Sequence, residues 1–200
     1  MSETGNGAAE RKALELPPYS LDVQQLDLGE RTKAVGLELV QTEDREPVRG
    51  PAAGQMWAAI FPALAASEHY AMDFFSHLDR VRDFCKAHQI DFREAAERCL
   101  VITQPRPETL RELFLRFEGE TFGIRAGAAA DATDAALEGE LSKRGLDAYQ
   151  AAYSRYTFCA VCEPEDGWAT LLSETLWPSE IIRRLRPALQ PFDVYIARPQ

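Results

Sequence analysis

His69, Asp73 and His77 recur every four residues. On a helix that spacing sets two imidazoles and a carboxylate along one face, where they can share a divalent metal, provided further ligands come from elsewhere in the chain. The same three residues read equally well as the wet side of an amphipathic helix. Ala71, Phe74, Phe75, Leu78, Val81 and Cys85 form an apolar stripe beside them at spacings of three and four. Cys159 and Cys162 make a C-x-x-C, but the run around them, Tyr156 to Cys162, has the two-sided apolar pattern of a buried strand. Residues three apart on a strand face opposite ways, so this pair reads as two core cysteines, with neither a disulfide nor a metal. Cys85 with His88 is the only local nucleophile and base, and it too is explained by packing and a helix end. The sequence contains no G-x-S-x-G, no phosphate-binding P-loop and no dinucleotide-binding glycine pattern.

The remaining chemistry is that of recognition. Trp168 and Trp177 flank a strand and the start of a helix, and Arg183 and Arg184 follow on that helix. Exposed tryptophans and arginines are the residue types that anchor protein interfaces. These four are the expected partner-binding residues, although Glu180 stands where it can pair with either arginine.

Charge narrows the class of partner. The 200 residues carry a net charge of −10, which opposes general binding to nucleic acids or anionic membranes and favours a basic protein. No apolar run approaches the roughly 20 residues needed to cross a bilayer. The polar opening stretch is unlike a secretory signal, and the four cysteines suit a reducing compartment, so the cytoplasm is the expected location.

The elements that must position these residues follow from periodicity and caps. Residues 1–18 are rich in Gly, Ala and Glu and are expected to be a mobile segment before a single domain over 19–200. Alternation over 33–41 predicts a strand, placed at an edge because of Gly36. Two helices, or one kinked at Pro62, are expected between 55 and 88, with Ser67 capping the second. Asp91 and Glu94 suggest a short helix to Cys99, followed by a strand over 100–103. Pro107 starts a helix, residues 121–125 form a strand, and a helix capped by Asp131 or Thr133 runs to Arg144, where Gly145 stops it before another starts at Asp147. The chain closes with a hairpin turning at Asp166 and Gly167, a helix over 179–189 and a last strand over 192–196.

The fold class is therefore α+β: several helices on a small mixed or antiparallel sheet, with a C-terminal hairpin, helix and strand. The functional expectation is a non-catalytic cytoplasmic accessory, adaptor or neutralising protein that binds another protein and needs no cofactor. The alternative is a metal-dependent enzyme or small-ligand receptor whose site is assembled from distant residues, with a divalent metal at His69, Asp73 and His77.

Overall fold

The computed structural model describes residues 16–28, 33–66, 68–95 and 98–197. The strands are β1 (Tyr19–Asp27), β2 (Lys33–Gln41), β3 (His69–Phe74), β4 (Arg93–Ala95), β5 (Cys99–Thr103), β6 (Phe122–Gly127), β7 (Phe158–Glu163), β8 (Trp168–Leu172) and β9 (Val194–Ala197). They form one sheet in the order β4-β5-β3-β6-β7-β8-β2-β1-β9. Only the β1 and β9 pairing is parallel, so the sheet is mixed. The helices are α1 (Gly50–Ala65), α2 (Leu78–Ala87), α3 (Pro107–Arg116), α4 (Ala129–Ala132), α5 (Ala135–Arg144), α6 (Asp147–Ala152) and α7 (Pro178–Leu189). The expected α+β class and the closing hairpin, helix and strand are present. From β3 to β6 the chain runs strand, helix, two strands, helix, strand with spatial order β4-β5-β3-β6, a split βαβ arrangement.

Period-two alternation explains the largest departure from expectation. The stretch expected to be a helix from Ser67 to His88 is β3, a turn and then α2. Ser67 itself, like residues 1–15 of the expected mobile segment, lies outside the described residues. In β3 the side chains of Met72 and Phe74 enter one core cluster while Ala71 enters the other. A strand that is apolar on both faces satisfies helical spacing by accident. Its helical part begins only at Leu78, after His77 takes a left-handed backbone with φ of 47°. Likewise Asp91 and Glu94 do not cap a helix; Arg93–Ala95 is the short edge strand β4, paired with β5. β2 is an interior strand between β8 and β1, because β1, unforeseen in the sequence, pairs along its whole length. Pro62 lies inside α1, which runs on for one more turn without its own break into two helices.

The two faces of the sheet are covered unequally. One carries α1, α2, α3 and α7 over a large core that includes Leu37, Trp57, Phe61, Phe114, Phe122, Phe158 and Leu185. Trp57, Phe61 and Phe114 stack in sequence, with centroids 5.7 and 5.8 Å apart. The other face is covered over β3 to β7 by Leu137 and Leu141 of α5 and by Tyr149, Tyr153 and Tyr156. That cover reaches Leu172 at the end of β8 and Ala34 at the start of β2, but not the part of β8, β2 and β1 around Trp168, Gly36 and Asp22.

Gly167 closes the β7-β8 hairpin with φ of +65°, and a Cβ there would come within 2.5 Å of the Leu39 carbonyl oxygen. That oxygen belongs to backbone, which cannot rotate away. Gly167→Ala is expected to destabilise the protein by roughly 1–3 kcal/mol. Chemical denaturation measures this, and an unchanged midpoint would contradict the turn geometry.

Candidate functional site

The structure separates the residues of the metal reading. His69 and Asp73 lie four residues apart on one strand, about 13 Å at the usual strand rise, with Asp73 fully buried and His69 exposed. His77 stands in the turn before α2, its Nδ1 2.5 Å from Glu120 Oε1. The shared helix face on which the metal reading rested does not exist. Among the described residues no three His, Cys, Asp or Glu side chains gather as a metal site.

Asp73 instead belongs to a buried ionic cluster. The strand β6 reads Phe-Gly-Ile-Arg-Ala-Gly, and its alternation turns Arg125 toward α5 and α6, where it is fully buried. Arg125 Nη2 donates to Asp73 Oδ1 at 3.2 Å and to Glu138 Oε1 at 2.7 Å. Tyr149 donates its hydroxyl hydrogen to Asp73, and Arg93, at the edge strand, donates to the same Glu138 oxygen. Gly123 makes room for the Tyr149 ring, whose hydroxyl a Cβ at that position would strike. Burial pushes the Asp73 carboxyl above its usual range, and Arg125 and Tyr149 offset only part of that rise. Burial alone would depress Arg125, but Asp73 and Glu138 outweigh it and hold the guanidinium charged. Nε and Nη1 of Arg125 have no acceptor among the described residues. The cluster links β3, β6, α5, α6 and the β4 edge. A single charged residue at an inward position of an apolar strand is the sequence signal that would have found it.

All four cysteines are buried and unbridged. Cys159 enters the smaller core cluster and Cys162 the larger, on opposite sides of the sheet as their spacing on a strand requires. Cys85 is buried, and burial pushes its thiol up to about 11. His88 beside it is exposed and stacks on Phe84 at 4.3 Å. A thiol raised in this way is a poor nucleophile at neutral pH.

The four expected partner-binding residues occupy three different places. Arg183 and Arg184 both pair with Glu180, and Arg184 Nη1 also donates to the Leu64 carbonyl at 2.6 Å, tying α7 to the end of α1. The two arginines hold the Glu180 carboxyl down to about 2. Trp177 is 45% exposed at the start of α7, with the Lys33 ammonium 5.3 Å from its ring centre. Trp168 lies at the opposite end of β8, on the side of the sheet that no described helix covers. Its ring rests over Gly36, where a Cβ would meet Trp168 Cη2 at 2.6 Å, and its Nε1 donates to Thr170 Oγ1 at 2.9 Å. Gly36 is thus a seat for the indole within an interior strand, not a weak point at an edge.

Strand register shows what else shares that face. Glu38 pairs with Trp168 and with Asp22, and Ser20 pairs with Tyr195, which is 50% exposed. Arg45 reaches over from the following loop to Asp22 at 2.7 Å and Glu38 at 3.3 Å. Gln24 is exposed, and Val161, Glu163 and Thr170 are half-buried beside Trp168. The result is an open, two-aromatic face with Asp22, Glu38 and Glu163 against the one cation Arg45 among these residues. Comparison with protein-family models finds no match, and no curated protein or solved structure matches the chain either.

Two outcomes follow. In the native state none of the four thiols is expected to react rapidly with a colorimetric disulfide reagent, while all four react once the chain is unfolded; a fast native equivalent would contradict their burial. For Asp73, a raised folded pKa means that its stabilising contribution is full below the ordinary value of 3.8 and is lost as pH rises through the folded value. The stability of the wild type minus that of Asp73→Asn is therefore expected to fall with rising pH. A difference that grows with pH would mean that Arg125 has depressed the carboxyl instead.

Proposed function

We propose that the protein works by binding a basic protein partner on the uncovered sheet face around Trp168, as an accessory, adaptor or neutralising factor without chemistry of its own. The observation that carries this reading is the uneven cover of the sheet. A half-buried Trp, an exposed Tyr and a surplus of carboxylates occupy the one broad sheet surface that the described helices leave open. An indole seated on a glycine is held in one orientation before any partner arrives, which lowers the entropy lost on binding. The carboxylates, together with the net charge of −10, speed the approach of a cationic surface. No helix among the described residues is long and apolar enough to cross a membrane. Four buried free thiols support the cytoplasm as the place of work.

The two contributions separate experimentally. Once a partner is recovered, Trp168→Ala is expected to raise its dissociation rate by a factor worth about 2 kcal/mol, with an unchanged salt dependence of association. Glu38→Lys is expected to slow association and flatten that salt dependence. Trp177→Ala, at the far end of the strand, is expected to change neither rate appreciably. Equal effects of the two Trp replacements, or none from Trp168, would overturn the assignment of this face.

A further inference from the structure

Between α2 and α3 lies a cleft lined by Arg80, Asp83, Phe84, His88, Arg116 and Phe117, with a volume of about 400 Å³. Its floor is built from two phenylalanines that meet edge to face, their centroids 5.7 Å apart. Each ring carries one guanidinium: Arg80 lies over Phe117 at 5.6 Å and Arg116 over Phe84 at 5.9 Å. The imidazole of His88 packs tilted against Phe84, ring centres 4.3 Å apart.

Two features set these arginines apart from a solvated helix face. First, neither is held by a close carboxylate. Arg80 makes one long ion pair, its Nη1 3.8 Å from Glu120 Oε1, and Glu120 is engaged at shorter range by Ser76 and by His77. No carboxylate among the described residues forms an ion pair with Arg116. Second, both are oriented, because a guanidinium stacked on an aromatic face keeps its N–H edges free in the plane of the ring it covers. The two cations lie on adjoining rings of one cleft, on a chain with ten more acids than bases. Asp83 is the one carboxylate in the lining and opposes their charge.

We propose that this cleft binds the phosphate monoester of a small molecule. A carboxylate saturates one guanidinium, whereas a phosphate dianion has three peripheral oxygens and accepts from two guanidiniums at once. The cleft volume is at the low end of the roughly 300–1,000 Å³ typical of small-ligand sites, which suits a phosphorylated metabolite better than a folded chain. The site lies under the fully covered face of the sheet, away from the Trp168 surface, and is independent of the reading given to that surface.

The test is an NMR titration of the full chain at pH 8 and fixed ionic strength, with inorganic phosphate, glycerol 3-phosphate and a phosphoserine peptide as separate probes and sulfate as the control anion. The expected result is saturable shifts of the Arg80 and Arg116 side-chain signals, with glycerol 3-phosphate at least as tight as inorganic phosphate. Arg80→Gln and Arg116→Gln should each weaken binding at least tenfold, Arg183→Gln should leave it unchanged, and Asp83→Asn should tighten it several-fold. Shifts that rise linearly without saturation, equal response to sulfate, or binding that survives the double Arg80→Gln and Arg116→Gln replacement would overturn the proposal. Preference for the phosphoserine peptide over both small phosphates would overturn its assignment to a small molecule.

Discussion

The Arg125 guanidinium, buried between Asp73 and Glu138, determines how far the second side of the sheet is covered. The short helices α5 and α6 bring little apolar area to that side. Leu137, Leu141 and Tyr149 are their main large buried residues, and each such burial stabilises by only about 1.5–3 kcal/mol. Desolvating two carboxylates and a guanidinium costs much of what their attraction returns, so the intact cluster adds little net stability, while removing one partner leaves an uncompensated buried charge. Glu138 and Tyr149 must meet partners on β6 and β3, and this leaves α5 and α6 one position over the β3 to β7 half. Beyond Leu172 and Ala34, that cover does not extend to the opposite half around Trp168.

That asymmetry links the fold to the proposed function. A sheet buried on both sides is near-continuously apolar, and β3, β5 and β7 have that character. β1 alternates instead: Leu21 and Val23 enter the core while Asp22 and Gln24 face out. The polar side of β1 and β2 does not by itself attract a partner, because exposed polar sheet faces are common. Trp168 distinguishes it. An indole on an open sheet face needs a surface to lie on and a partner for its N–H, and Gly36 and Thr170 supply these.

The sequence was legible where a single periodicity acted. The helices α3 and α7, the end of α5 and the β7-β8 hairpin were readable because their boundaries are local: Pro107, Pro191, Gly145 and Gly167 each act through their own backbone, whereas α5 begins at Ala135 under an Asp134 cap rather than the expected Asp131 or Thr133. β3 was unreadable as a strand because Tyr70 to Phe75 is apolar at both two-residue and four-residue spacings, and only its pairing with β5 and β6 decides between them. The helix assumed for His69, Asp73 and His77 is β3, a turn and the start of α2, so the three do not line one helix face. Arg125, Asp73 and Glu138 are 52 and 13 residues apart along the chain, so no local pattern brings them together. The partner-binding set was legible as residue types only. Its division between the open face, the start of α7 and the Glu180 pairings depends on strand order, which no local pattern encodes.

The central claim is that the uncovered face of β8, β2 and β1 is where a partner docks, and position-resolved photocrosslinking tests it most directly. A photoreactive residue is placed at Gln24, exposed on that face, and in a second protein at Arg183, exposed on α7 on the opposite side. The predicted result is a single adduct with a basic protein from Gln24 alone, suppressed by excess unmodified chain and by high salt. Adducts from Arg183 alone, or the same adducts from both positions, would contradict it.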